Sequence, residues 1–167
     1  MTPTLQIFAV GVLAIGAATG AVSIMSKDIP DLAVPEGPWQ AGSALDGSVF
    51  YTVDRISGSD EVLRDELHFV DGRFQSSMCQ EYCDFGWSEY ETTEIDGTLH
   101  FTVTTRCPAA PHTTVWYGSV EGDQIRFDAT WTTRRWYWTH QIAAEGQGPV
   151  TAPADPASGL FAARPNC

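Results

Sequence analysis

The sequence predicts an all-β protein: a single antiparallel up-and-down β-barrel of about eight strands, preceded by one N-terminal transmembrane helix. Three observations carry this. Apolar and polar residues alternate at period two through most of residues 48–145. Short acid–glycine pairs, Asp71-Gly72, Asp96-Gly97 and Glu121-Gly122, punctuate the alternation where tight hairpin turns need a positive φ. Ahead of both lies an uncharged apolar run from Leu5 to Met25.

That run spans 21 residues, interrupted only by Gln6, Thr19 and Ser23. At about 1.5 Å of rise per residue it reaches roughly the 30 Å of a bilayer's hydrocarbon core. A cleaved signal peptide would carry a basic n-region and a shorter apolar stretch, and residues 1–6 hold no Lys or Arg. A retained single-span anchor over 1–27 accommodates both facts, although small residues around Ala18–Ala21 also offer a cleavage site. Gly16 and Gly20 form a small-xxx-small spacing that lets a second helix approach. Lys27 on the far side argues against export of the C-terminal body, whereas the four cysteines argue for an oxidising compartment. The expectation is N-terminus inside and body outside.

Residues 28–47, broken by Pro30, Pro35 and Pro38, read as a linker. Strand-like alternation then occupies 48–56, 65–70, 73–77, 88–95, 98–106, 113–120, 124–133 and 135–144, rich in β-branched and aromatic residues. Only "SSMCQEYC", within 76–83, offers a helical turn or two. Hairpin connections throughout favour a meander, and closing it removes the exposed edges. Residues 146–167, rich in Pro, Ala and Gly, read as an extended arm.

Charge narrows the partners. Lys27 is the only lysine, and everything from Asp28 onward holds all 21 acids against eight arginines, a formal charge of −13. Such a body repels phosphate backbones, which argues against nucleic-acid binding.

The cysteines Cys79, Cys83, Cys107 and Cys167 are the disulfide candidates. Cys79-x-x-x-Cys83 supplies at most two thiolates of the four ligands that structural zinc takes, and no close His pair completes a set. It also lacks the Cys-x-x-Cys spacing of a thioredoxin-like centre. Neither a metal nor a cofactor is expected. Cys107, at a strand end beside the Pro108–Pro111 loop, is placed to reach the 79–83 loop, so Cys83–Cys107 or Cys79–Cys107 is expected, with Cys167 taking the remaining partner.

The aromatic candidates for a ligand cavity or an interface are Phe85, Trp87, Tyr90, Trp116, Trp131, Trp136 and Trp138, with Arg135 and His140 beside them. If "RWYWTHQIAA" is a strand, Trp136, Trp138 and His140 share one face, able to fill the barrel, to line a cavity or to meet a partner. Phe85, Trp87 and Tyr90 are expected to cover one barrel end. No Gly-x-Ser-x-Gly elbow, phosphate-cradling loop or marked acid pair appears, so the expectation is a non-catalytic protein.

Gly37-Pro38-Trp39 ahead of a hairpin meander resembles the lipocalin-like barrels, entered through a Gly-x-Trp signature. Residues 65–142, with "LHFVDGRFQSSMC", "VWYGSVEGDQIRF" and "WYW", are similar to a group of small exported bacterial β-domains. The resemblance implies a fold and an envelope location, not a catalytic residue. The resulting expectation is an inner-membrane, single-pass protein with its β-domain in the periplasm. It would serve a larger complex as an accessory or assembly subunit, with an integral-membrane protein as partner. The alternative is a periplasmic carrier of a small apolar ligand.

Overall fold

The computed structural model describes residues 32–150; the apolar segment 5–25 and the arm beyond Val150, with Cys167, lie outside them. No helix among the described residues is long and apolar enough to cross a membrane.

The strands are β1 (Gln40–Ala41), β2 (Val49–Ile56), β3 (Val62–Val70), β4 (Arg73–Ser76), β5 (Ser88–Ile95), β6 (Thr98–Arg106), β7 (His112–Glu121), β8 (Gln124–Arg135) and β9 (Trp138–Pro149), with one helix, α1 (Ser77–Cys83), between β4 and β5. Strands β2 to β9 pair each with the next, and β2 pairs with β9, so eight antiparallel strands close into a ring. The expected up-and-down barrel is the observed one. Where β4 stops short, β1 takes its place against β5, pairing Gln40 with Thr92.

The turn chemistry explains one end of the ring. Asp71 and Gly72 (φ 49° and 72°) and Asp96 and Gly97 (φ 52° and 80°) take positive φ at both central positions, the type I′ geometry whose twist matches the flanking strands. Gly122 (φ 60°) opens the third tight turn. These three form the turn end. The opposite, loop end carries residues 57–61, α1, the Cys107–Pro111 loop and the tip joining β8 to β9.

Alternation fills the interior. Phe69 is fully buried and meets Phe50, Phe74, Tyr90 and Phe101 edge-on at centroid separations of 6.0, 5.2, 5.0 and 5.5 Å. Trp116 continues the cluster between Phe74 (5.2 Å) and Phe127 (5.1 Å). Each tilted or edge-on pair contributes about 0.5–1.5 kcal/mol beyond its burial. At the turn end the Tyr90 hydroxyl accepts from Leu45 N (3.2 Å) and donates to Asp46 Oδ1 (3.0 Å).

The last hairpin departs from the sequence expectation. β8 runs two residues further than expected, the turn falls on Trp136-Tyr137, and β9 starts at Trp138 and continues to Pro149. The tip has neither the glycine nor the positive φ that mark the other tight turns, so the chain carries no local signal of it. At the other end, Gly146 and Gly148 read as an arm but are barrel wall. A Cβ on Gly146 would lie 2.3 Å from the Phe127 ring, and one on Gly148 1.9 Å from the Tyr51 carbonyl oxygen. Glycine stands there for close packing rather than for a turn.

Candidate functional site

Three features of the barrel are built from chemically distinctive residues: the closed loop end, the β8–β9 tip and a buried acid pair.

The loop end is stapled by a Cys83–Cys107 disulfide, Cα–Cα 5.7 Å across a sequence separation of 24. Of the two expected pairings it is the one formed. Cys79, one helical turn earlier, faces the interior as a buried free thiol among the described residues. Its expected bond to Cys167 involves a residue outside them. Helix α1 begins where Ser76 Oγ accepts from Cys79 N (3.0 Å), an N-cap hydrogen bond. It ends at Asp84 in the left-handed region (φ 46°). Phe85 then turns inward to Trp131 at 5.0 Å, with Tyr82 (5.2 Å) and His112 (5.2 Å) against the same indole. Phe85 and Trp131 therefore close this end.

The expected trio does not act together. Trp87 precedes β5 and is partly exposed at the surface, whereas Tyr90 falls in the inward phase of that strand and belongs to the aromatic core. Nor do the tryptophans line a common cavity. Trp116 is packed in the core with its Nε1 donating to Thr105 Oγ1 (3.3 Å), and Trp131 donates to Thr133 Oγ1 (3.2 Å). Trp136 and Trp138 sit on the tip, 94% and 37% exposed, with Tyr137 at 64% between them. The shared face expected for Trp136, Trp138 and His140 fails for Trp136, which occupies the turn itself. Arg135 and His140 are exposed on the same ribbon.

The feature that sequence reasoning missed is a pair of buried carboxyl groups. Asp54 on β2 and Asp65 on β3 are both 2% exposed and face inward, diagonal neighbours on paired strands. Asp65 accepts from Met78 N and Glu66 N, both 2.8 Å, and from the Ser76 hydroxyl. It thereby holds the first turn of α1 from inside the barrel. Burial pushes its pKa up and those hydrogen bonds take back part of the rise, leaving it raised to about 6. Asp54 has less support, since its Oδ1 has no hydrogen-bond partner. Burial first, and the neighbouring Asp65 second, push its pKa up to about 7. The Cys79 thiol is raised to about 12, mainly by burial, and stays protonated. The signal was present in the phase of the alternation. Phe50, Thr52 and Asp54 lie on one face, as do Leu63, Asp65, Leu67 and Phe69, and an acid in an otherwise buried phase marks an interior carboxyl.

On the outer wall Tyr117 donates or accepts a 2.9 Å hydrogen bond with His100 Nδ1 and stacks on its ring at 11°. Trp39 of the Gly-Pro-Trp segment packs edge-on against the same tyrosine at 6.3 Å. No group of three or more potential metal ligands gathers among the described residues.

The fold and these features define a small, closed, antiparallel β-barrel with an aromatic cluster at its centre and an exposed aromatic tip. Comparison with protein-family models, with curated proteins and with solved structures gives no match for this chain.

Proposed function

We propose that the chain is a non-catalytic, membrane-anchored envelope protein, an accessory or assembly subunit that acts through the outer surface of a lipocalin-like β-barrel. The observation that carries this is the aromatic cluster at the barrel's centre. The rings around Phe69 and Trp116 occupy the barrel's centre, and Phe85 with Trp131 closes its loop end, so the working surface is the outside. The apolar segment 5–25 supplies the attachment, a single span in the inner membrane. The Cys83–Cys107 bond supports a periplasmic body, because disulfides persist in oxidising compartments. A carrier of a small apolar ligand would need a hollow centre, and the packed rings leave that reading without support. The partner fitting this arrangement is an integral-membrane protein beside the anchor.

Photo-crosslinking in native membranes tests the proposal, with a crosslinker placed in turn on the exposed face of each long strand. Covalent adducts to one integral-membrane protein, clustered on one side of the barrel, are the expected result. A washed membrane that releases the body as an uncrosslinked, soluble monomer would sink it.

A further inference from the structure

The β8–β9 ribbon projects beyond its neighbours. β8 and β9 pair up to Arg135 and Trp138, but β7 follows β8 only to the His112–Thr133 pair. β2 leaves β9 at the Ile56–Ala144 pair, with one more backbone bond from Ser57 N to Ala143 O at 2.8 Å. The base of the ribbon is pinned by Arg134 N donating to Pro111 O at 3.0 Å. Beyond it, the rings support one another. Trp136 meets Tyr137 at 4.9 Å, Tyr137 meets Trp138 at 6.2 Å and Trp138 meets His140 at 6.3 Å. A two-stranded ribbon is marginal alone in water, and this one displays three large aromatic side chains there.

Charge sets the ribbon apart from the rest of the barrel. Residues 129–144 contain no acid, yet include Arg134, Arg135 and His140, in a chain of net charge −12. Neither arginine is ion-paired with a carboxylate among the described residues. The exposed acids of the same barrel end, Asp60, Glu61, Glu81 and Asp84, belong to the other connections.

We infer that this tip is a lipid-interface anchor: Trp136, Tyr137 and Trp138 enter the headgroup region of an anionic bilayer while Arg134 and Arg135 meet its phosphates. Convexity favours lipid over protein as the occupant. A protein hot spot seats its aromatic anchors in pockets ringed by complementary contacts. A protruding turn whose Trp136 is 94% and Tyr137 64% exposed suits a fluid interface, where Trp and Tyr partition at headgroup depth. Arginines just behind such rings are placed for anionic lipid, an attraction that opposes the repulsion of the acidic body. This rests on the proposed attachment and deepens it, giving the barrel a second contact and hence a fixed orientation.

The probe is intrinsic fluorescence of the full chain with vesicles of phosphatidylcholine alone, or mixed with phosphatidylglycerol, carrying bromine at a shallow acyl depth. The apolar segment contains no Trp, so quenching reports the body. The wild type is expected to be quenched in anionic vesicles, and the W136S/Y137S/W138S variant to lose that quenching. In the R134Q/R135Q variant, or in neutral vesicles, it is expected to fall several-fold. Far-ultraviolet dichroism checks that each variant is folded. Quenching that survives in the aromatic variant, or that ignores lipid charge, overturns the inference. So does an unquenched tip that crosslinks instead to a protein. Resistance of the same samples to an alkaline wash reports the N-terminal anchor separately, so the tip and the anchor can fail independently.

Discussion

At Asp54 a carboxyl group sits inside the barrel with one oxygen unpartnered, facing the carboxyl of Asp65 and, beyond it, Glu66, with the neutral Cys79 thiol close by. Gly146 of β9 and the Phe127 ring cover it and bring no charge. Its folded-state pKa is about 7 against an ordinary 3.8. Between those values the folded protein keeps a proton that the unfolded chain has released, so stability falls as pH rises from about 4 to about 7. A shift of that size corresponds to about 4 kcal/mol over the window. Urea unfolding at pH 5 and pH 8 is expected to show a lower midpoint at pH 8, and Asp54→Asn is expected to raise the pH 8 midpoint and flatten the dependence. An unchanged slope in Asp54→Asn would place the effect elsewhere, in the buried Asp65, whose pKa is also raised, to about 6, or in the general repulsion of an acidic surface. Gly148 is a steric counterpart. With the Tyr51 carbonyl oxygen 1.9 Å from where a Cβ would stand, backbone rather than a flexible side chain must give way. Gly148→Ala is expected to destabilise by about 3 kcal/mol, measured as the loss in unfolding free energy.

Among the elements, the hairpins closed by Asp71-Gly72 and Asp96-Gly97 were legible because turn chemistry and period-two alternation agree there; β5 and β6 fall on the expected residues. Where the two signals part, expectation and structure differ. The β8–β9 turn uses Trp and Tyr, which resemble strand interior, and the end of β9 uses glycines, which resemble loop. The acid pair was invisible to a search for catalytic motifs, since its partners Ser76 and Met78 come from the helix start and are joined to it only by the β3–β4 register. Of the candidate site, the disulfide was narrowed to two pairings, and choosing between them required knowing that Cys79 faces the interior while Cys83 faces the Cys107 loop. That bond closes a loop of 24 residues' separation, worth about 3 kcal/mol in the chain-entropy model. Cys83→Ser combined with Cys107→Ser is expected to lower Tm by roughly 10 °C, and reductant should do the same to the wild type. A Tm insensitive to both would mean that Phe85 and Trp131 hold the loop end without the staple.

For the whole molecule, a closed ring has no free edge along most of its wall and its centre holds the aromatic cluster around Phe69 and Trp116, and on this the proposal of function at the outer surface rests. The described chain enters at the turn end, since β1 runs antiparallel to β5 toward Tyr90 with Gly37 beside Thr93, and the aromatic tip lies at the other end. The described chain therefore begins toward one end of the barrel while the proposed lipid contact at residues 134–138 lies at the other. The most direct test of a membrane-held barrel acting as a subunit is the native species itself: intact mass together with the size of the mildly detergent-extracted particle. The expected result is a chain that retains its first 25 residues, lacks two hydrogens for the Cys83–Cys107 disulfide and two more where Cys79 is bonded to Cys167, and migrates in a particle larger than a monomer in its micelle. A water-soluble monomer missing about 20 N-terminal residues, as signal-peptide cleavage would leave, would contradict the account.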